Sequence, residues 1–392
     1  MKKKIAILGS TGSIGENTLK ILDQDKKNFK IEFLSTNKNV FKVFNQAKKF
    51  NVKNLIIHDE ETFNKNYSFS KKNKIKIFNT LNDYFKKYKN QKLDYVMSSI
   101  SGLAGLDPTL KIIKFTKNIA IANKESIICG WPLIDKELKR YNTNFIPVDS
   151  EHFSILDLIK NEKKTNINKI YITASGGPFL NHNSQKIKKS SPKNAIKHPT
   201  WKMGKKISVD SSTLMNKVFE LIEAKKIFNL KKKKIEIIVQ PTSYVHAIVE
   251  FKNGISKLLT HPTSMRVPIF NTLYKNEKHN FKFDKINFEK LNNLNFQKID
   301  FKKFPINKII DKIPDKDTLF DTILVTANDT SVDLFLKKKI SFYKIYQCIN
   351  IILNLREFTK FKSIKPKNIS QIMSLSRKVR LKTQSLSVIS KN

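Results

Sequence analysis

The chain has 392 residues, 40% of them hydrophobic, enough for two or three domains with proper cores. Lys and Arg total 75 against 33 Asp and Glu, a formal charge of +42 that in general suggests nucleic acid or an acidic membrane as partner. Here the lysines are spread evenly among abundant Ile and Asn, Arg is scarce and the aromatics are mostly Phe, so compositional bias accounts for the charge better than a polyanion partner does. The excess still favours capture of phosphorylated substrates.

The start, MKKKIAILGS, has a basic head but an apolar run of only IAIL, which fits a first strand and not a signal peptide. No stretch approaches the roughly 18 apolar residues of a membrane span. KIAIL (4–8) is a buried strand, GSTGSIG (9–15) follows, and a helix covers 16 to about 22. Strands are expected at 31–35, 54–58, 93–100 and 118–123, with helices at 40–50 and between the last two strands. This alternation predicts a parallel sheet covered on both faces, running to about residue 149. A second alternating region spans 150–274, with apolar runs at 169–173, 235–239 and 244–251. Residues 275–305 are rich in Lys, Asn and Phe without periodicity and read as a linker. Helical patterns close the chain over 306–392. The expected class is α/β: a Rossmann-like N-terminal domain, a central α/β catalytic domain and a helical C-terminal domain. Cys129 and Cys348 are isolated, without metal-ligand spacing or a disulfide framework, which fits a reducing cytoplasm.

The glycine loop lies after a strand and before a helix, where glycine allows close backbone approach and a helix N-terminus attracts phosphate. Gly9, Ser10, Thr11, Gly12, Ser13 and Ile14 are therefore candidate dinucleotide contacts. An NAD site usually carries an acid about 20 residues on, holding the ribose hydroxyls. Instead the second strand ends in Ser35, Thr36, Asn37, Lys38 and Asn39, which would accept a 2′-phosphate. NADPH is the expected cofactor, although Lys38 also fits as one more of many lysines.

PVDSEHFSI (147–155) sets Asp149 and Glu151 two apart, on one face if the backbone is extended. Two such carboxylates suit a hard divalent cation, Mg²⁺ or Mn²⁺, though the pair also fits a solvated strand end. HPTWKMGKKISVDSSTLMNKVFELIEAKKIF (198–228) is written differently from the rest of the chain. Asp210, Ser211 and Ser212 read as a helix start, with the helix running to about Phe228. Ser211 or Ser212, with Asn216 and Lys217, would then form a phosphate cradle near its N-terminus. Glu220, at i+4 from Asn216, could supply a third carboxylate, and Glu223 would pair with a lysine. An ordinarily capped amphipathic helix is the plain alternative. Ser175, on the glycine-rich turn of TASGGPF (173–179), could bind an oxyanion. The polar stretch that follows, about 176–206, has the length of a lid, and His198 and Trp201 on it could cover a ligand and exclude water.

Taken together and in this order, GSTGSIG, SGLAGLDPTL, ANKES, PVDSEH, SGGPF, HPTWKMGKKISVDSSTLMNK, QPTSYVHAIVEF and HPTSMRVPI closely resemble the 1-deoxy-D-xylulose 5-phosphate reductoisomerase family over essentially the whole chain. The Ala327–Asp329 segment is similar to that family's helical domain. The resemblance implies NADPH on the first domain, with Asn123 and Glu125 near it and Gly204 close to the cofactor. It implies a divalent metal held by Asp149, Glu151 and Glu220, and a phosphate held by Ser175, Ser211, Asn216 and Lys217. Lys124 and Ser150 would contact the substrate's hydroxyl or carbonyl end, with Glu151 or a bound water able to shuttle protons, while His198 and Trp201 would lie on a flexible flap. Family members are typically homodimers. This chain has Asn37 where the family commonly has glycine; asparagine tolerates positive φ, so little change is expected.

The implied reaction rearranges a 2-keto sugar phosphate to a branched aldehyde and reduces it, giving 2-C-methyl-D-erythritol 4-phosphate for isoprenoid synthesis by the non-mevalonate route. A plain NADP-dependent dehydrogenase of another phosphorylated substrate would need the glycine loop but not three carboxylates. A basic nucleic-acid-binding protein would show steeply salt-dependent binding, against which the scattered lysines argue.

Overall fold

The structure, a computed structural model, describes residues 2–72, 74–89, 92–274 and 281–389. The chain forms two compact units: Met1–Ile127 with Pro132–Asp149 and Met265–His279, and Ile128–Trp131 with Ser150–Ser264 and Asn280–Asn392.

The first unit is built from β1 (Lys3–Leu8), α1 (Ser13–Asp23), β2 (Phe29–Thr36), α2 (Val40–Phe50), β3 (Asn54–Ile57), α3 (Glu60–Lys72), β4 (Lys76–Phe78), α4 (Leu81–Lys87), β5 (Tyr95–Ser98), α5 (Leu106–Ile113), β6 (Asn118–Ile121), α6 (Lys124–Tyr141) and β7 (Asn144–Pro147). The strands lie in the order β4-β3-β2-β1-β5-β6-β7, every pair parallel. Ile5, Ile7 and Leu8 are fully buried, as expected of a strand covered on both faces, and each such side chain contributes roughly 1.5–3 kcal/mol of hydrophobic stabilisation. The chain builds outward from β1 to β4, then returns to β5 beside β1 and builds the other way. That reversal opens a crevice at the carboxyl ends of β1 and β5, where such sheets bind ligands.

The second unit contains α7 (Ser150–Leu158), β8 (Ile167–Ala174), the short helices α8 (Ser184–Lys188) and α9 (Pro192–Ala195), then α10 (Lys205–Ser212), α11 (Met215–Ile227), β9 (Ile235–Val239), β10 (Val245–Phe251) and β11 (Ser256–Thr260). Its sheet runs β11-β10-β8-β9 and is mixed: β8 and β9 are parallel, while β10 is antiparallel to both β8 and β11. Next in the chain comes α12 (Arg266–Tyr274), which belongs to the first unit and not with 150–264. There Thr272 bonds the Tyr95 hydroxyl at 2.6 Å, and the Tyr274 hydroxyl donates to Asp25 at 2.7 Å. The second unit resumes with α13 (Phe288–Asn292), α14 (Asn307–Ile310), α15 (Phe320–Leu336), α16 (Phe342–Asn354), α17 (Arg356–Thr359) and α18 (Ile369–Ile389). α15 is buried nearly all round, the mark of a central helix, and α16 and α18 pack on it.

Several local expectations change. Residues 275–280 of the expected linker lie outside the described residues, and 281–305 is not featureless: it holds α13, and Gln297 bridges to Val239. Ser150–Leu158 is helical, so Asp149 and Glu151 do not share the face of an extended strand. The helix expected to start near Asp210 instead starts at Lys205, with Gly204 as N-cap, and breaks at Thr213–Leu214. Leu214 takes left-handed φ of 61° with its side chain 2% exposed, so burial of an apolar side chain, not a glycine, holds the kink. Ser211 and Ser212 therefore end α10 and do not cap a helix. Among the described residues the non-glycine positive-φ positions do not include Asn37, so its tolerance of that region is not used.

Candidate active site

In the first unit the glycine loop wraps the carboxyl end of β1. Gly9 has φ +80°, and a Cβ there would stand 2.8 Å from the Ser99 carbonyl oxygen, so both conformation and space demand glycine. α1 begins at Ser13, inside the loop and earlier than expected, so a helix N-terminus follows directly on the end of β1. Ser10 is fixed by its hydroxyl on Gln46 at 2.8 Å, and Thr11 bonds Thr36 at 3.0 Å. Gly12, Ser13 and Ile14 complete the turn. After β2 come Asn37, Lys38, whose ammonium is 3.4 Å from Asp59, and Asn39, which caps α2. Asn123 caps α6 by accepting from Ser126 N–H at 2.8 Å and donates to the Gly102 carbonyl at 2.7 Å. Its cap places Lys124 and Glu125 in the first turn of α6, and Lys124 Nζ meets Asp149 at 2.8 Å. These candidate residues all gather at the carboxyl ends of β1, β2, β6 and β7.

In the second unit, α7 and α11 bring a buried cluster together. Ser150 Oγ and Lys217 Nζ both donate to the Glu151 carboxylate. Lys217 also donates to Glu220 at 2.6 Å, and Asn216 donates to the other Glu220 oxygen. Lys217, Glu151 and Glu220 are at most 8% exposed. Burial alone would lower the Lys217 pKa; the charges of Glu151 and Glu220, with their hydrogen bonds, outweigh it and hold the ammonium above the ordinary lysine value. Asp149, bonded directly to Ser150, adds a third carboxylate: one oxygen each from Asp149, Glu151 and Glu220 lies within 4.8 Å of the others. His152, next along α7, bonds the Glu220 carbonyl at 3.0 Å, and its Nδ1 lies 3.6 Å from Glu223. Glu223 thus faces a histidine.

Ser175 leaves the end of β8. Its Oγ accepts from Gly177 N–H at 3.1 Å and meets His198 Nε2 at 3.0 Å. The backbone N–H groups of Trp201 (3.0 Å) and Thr200 (3.3 Å) both donate to His198 Nδ1. Nδ1 is therefore the acceptor and Nε2 carries the proton it gives to Ser175. Burial, and secondarily the Lys217 charge, lower the His198 pKa to about 4, so the ring is neutral near pH 7. The 176–206 stretch is not irregular throughout, since it contains α8 and α9. The Trp201 ring meets His246 edge-on at 6.0 Å, and His246 stacks on His261 at 3.6 Å.

That histidine pair was not anticipated. β10 and β11 pair Val245 with Thr260 and so bring residues 15 apart together. The signal that could have found it is Asn253–Gly254, a hairpin turn between two apolar runs, with Gly254 at φ +84°.

The carboxylate set offers only oxygen, which suits Mg²⁺ or Mn²⁺ and not a thiol- or imidazole-seeking metal. Close to it on α11 are an amide and an ammonium, and near them a serine tied to a flap histidine. Such a group can hold a cation beside a phosphorylated ligand.

Comparison with known proteins agrees. Residues 5–130 match the 1-deoxy-D-xylulose 5-phosphate reductoisomerase family, 145–228 the C-terminal domain of that reductoisomerase, and 261–382 a further DXP reductoisomerase C-terminal domain. A 1-deoxy-D-xylulose 5-phosphate reductoisomerase of Pelagibacter ubique is 56% identical over 98% of this chain and 100% of its own length. One from Clostridium novyi is 36% identical over 96% and 97%. Among solved structures, the enzyme from Zymomonas mobilis in complex with NADPH superposes with TM-score 0.88, at 29% identity and 99% coverage of both chains. A DOX-P reductoisomerase in complex with NADPH, fosmidomycin and magnesium gives 0.90 at 28% identity, covering 100% of this chain and 99% of that one. With the glycine loop, the three carboxylates and the 198–228 segment all in place, the chain belongs to the 1-deoxy-D-xylulose 5-phosphate reductoisomerase family.

Proposed function

We propose that this chain converts 1-deoxy-D-xylulose 5-phosphate to 2-C-methyl-D-erythritol 4-phosphate, using NADPH and a divalent cation, in isoprenoid biosynthesis. The observation that carries this is the convergence of Asp149, Glu151 and Glu220 within 4.8 Å, with Asn216 and Lys217 on the same helix as Glu220. Asp149, Glu151 and Glu220 would hold Mg²⁺ or Mn²⁺, and the GSTGSIG loop with Asn37, Lys38, Asn39, Asn123, Glu125 and Gly204 would hold NADPH. When bound, the cation supplies positive charge to the substrate's carbonyl and hydroxyl oxygens and NADPH supplies hydride.

The rest falls to the chain's own side chains. Ser175, Ser211, Asn216 and Lys217 bind the phosphate, and that remote binding energy orients the reacting end. Ser175 suits the role because its oxygen already accepts two hydrogen bonds, leaving its hydroxyl proton to donate. Neutral His198 donates from Nε2, so an anion close to it meets a donor and not a second acceptor. Trp201, three residues along the flap, excludes water when it closes. Lys124 and Ser150 orient the substrate oxygens, and Glu151 is placed to hold a proton.

The test follows NADPH absorbance with 1-deoxy-D-xylulose 5-phosphate, with Mg²⁺ or Mn²⁺ and after EDTA. Oxidation that needs the cation is expected; NADPH oxidation insensitive to EDTA would favour a plain dehydrogenase and overturn the metal assignment.

No helix of the described residues is long and apolar enough to cross a membrane. We further propose that the enzyme works as a homodimer in the cytoplasm. The edge strand β11, with Leu258 47% and neighbouring Ile255 52% exposed, supports pairing between copies. Sedimentation equilibrium should give twice the chain mass, and Leu258→Lys should shift it towards the monomer.

A further inference from the structure

We propose that helix α15, which carries none of the substrate-binding residues, sets the site's phosphate affinity through a buried clamp on Asp210. Asp210 and Asn328 are positioning residues in this reading, which rests on Ser175 and Ser211 being the phosphate-binding hydroxyls.

Asp210 lies in the last turn of α10 and is 1% exposed. One carboxylate oxygen accepts from Asn328 Nδ2 of α15 at 2.7 Å, and the other is 3.0 Å from Lys206 Nζ. Lys206 also reaches Asp329 of α15 at 2.9 Å and lies 5.4 Å over the Phe219 ring of α11. At this depth a carboxylate oxygen without a partner is costly, so each partner is required and not decorative. The clamp therefore joins α10, α11 and α15 at one point.

The consequence lies one residue further on. Ser211 follows Asp210, and its backbone supports the loop that carries Ser175. A Cβ at Gly177 (φ +66°) would stand 2.8 Å from the Ser211 carbonyl oxygen and 3.1 Å from Ser212 Cα, so two backbones touch there. Gly177 N–H in turn donates to Ser175 Oγ. The Ser212 hydroxyl donates to the Ala195 carbonyl in the flap at 2.9 Å, and Gly204, where the flap ends, caps α10. Thus α10 anchors both hydroxyl carriers and the flap, and α15 holds α10. If the clamp opens, Ser175 and Ser211 lose their mutual spacing while the carboxylates on α7 and α11 keep their own partners.

The test measures the KM for substrate, inhibition by inorganic phosphate, NADPH affinity and thermal unfolding in the full chain. Asn328→Ala should raise KM and the phosphate Ki about tenfold or more, since a misplacement of about 1 Å is costly in such sites. NADPH affinity should stay within about twofold, because all of that site but Gly204 is built by the other unit. The swap Asp210→Asn with Asn328→Asp restores a donor–acceptor pair, and should return the phosphate Ki to within about threefold of wild type. A merely structural role would lower the unfolding temperature without this selective change. Should Asn328→Ala fail to fold, Lys206→Met, at a partly exposed position, should weaken phosphate in the same sense. An unchanged phosphate Ki in these variants, or a swap no better than its single variants, overturns the clamp alone. Absence of any phosphate competition in the wild-type enzyme overturns the cradle and the clamp together.

Discussion

The ammonium of Lys217 is shared by the two carboxylates Glu151 and Glu220, while the sequence pattern places the same lysine in a phosphate cradle. Both descriptions follow from its position in the first turn of α11, three residues before Glu220. A charged hydrogen bond to phosphate contributes about 1.5–3 kcal/mol, so Lys217→Ala should raise the substrate KM roughly tenfold to hundredfold. The same change removes a competing cation from Glu151 and Glu220, so Mn²⁺ affinity, read by electron paramagnetic resonance, should hold or rise. A fall in Mn²⁺ affinity would show that Lys217 supports the metal set instead of sharing it. Glu220→Gln has the opposite signature. It should weaken Mn²⁺ binding and abolish turnover while leaving NADPH binding intact, and undiminished turnover at saturating Mn²⁺ would remove Glu220 from the metal set.

At the scale of elements, the joint between α10 and α11 and the turn after β8 decide how the site is held. The residue types of the 198–228 segment were legible, because Ser, Asn, Lys and Glu at helical spacing state their chemistry. The break at Thr213–Leu214 was not, because nothing local marks it: neither residue is glycine or proline, and tertiary burial of Leu214 overrides its preference. Asp149 and Glu151 were placed together for the wrong reason. They meet because Asp149 precedes the first turn of α7, not because a strand aligns them. Gly177 tests the contact at the turn. Gly177→Ala adds a Cβ 2.8 Å from the Ser211 carbonyl at a positive φ, so the two backbones must part, and KM should rise roughly tenfold. Gly254→Ala is the control: its φ is +84° but no atom lies within 4 Å of the added carbon. It should cost about 1 kcal/mol of stability and leave KM unchanged. Equal KM values for the two variants would contradict the account of the turn.

Over the whole molecule, the alternation of strands and helices made the parallel sheet of the first unit legible, because fully covered strands read as apolar runs. The membership of α12 was not legible, since its ties to Tyr95 and Asp25 span 177 and 249 residues and leave no local trace. Buried histidines have the same character, being placed by tertiary packing, and they give the molecule a shared acid sensitivity. Burial, then Lys217, lowers His198 to about 4; burial, then His246, lowers His261 to about 3; burial also lowers His58. Each is neutral in the fold but binds a proton below about 6.5 once unfolded. The unfolded chain therefore holds more protons over that interval, and stability rises with pH across it. Read downward, stability is lost from pH about 6.5 to about 4 for His198 and on to about 3 for His261. Asp23, Asp59 and Asp94, whose pKa values are lowered in the fold, lose their contribution only below their ordinary value of 3.8, so above pH 4 they add little to the histidine slope, while Asp321, raised by burial, opposes it. Thermal unfolding between pH 6.5 and 4 should show a falling midpoint. His261→Gln should flatten that fall while leaving the slope below pH 3 nearly unchanged, and a variant with the wild-type slope throughout would show that His261 takes up its proton in the fold as readily as in the unfolded chain.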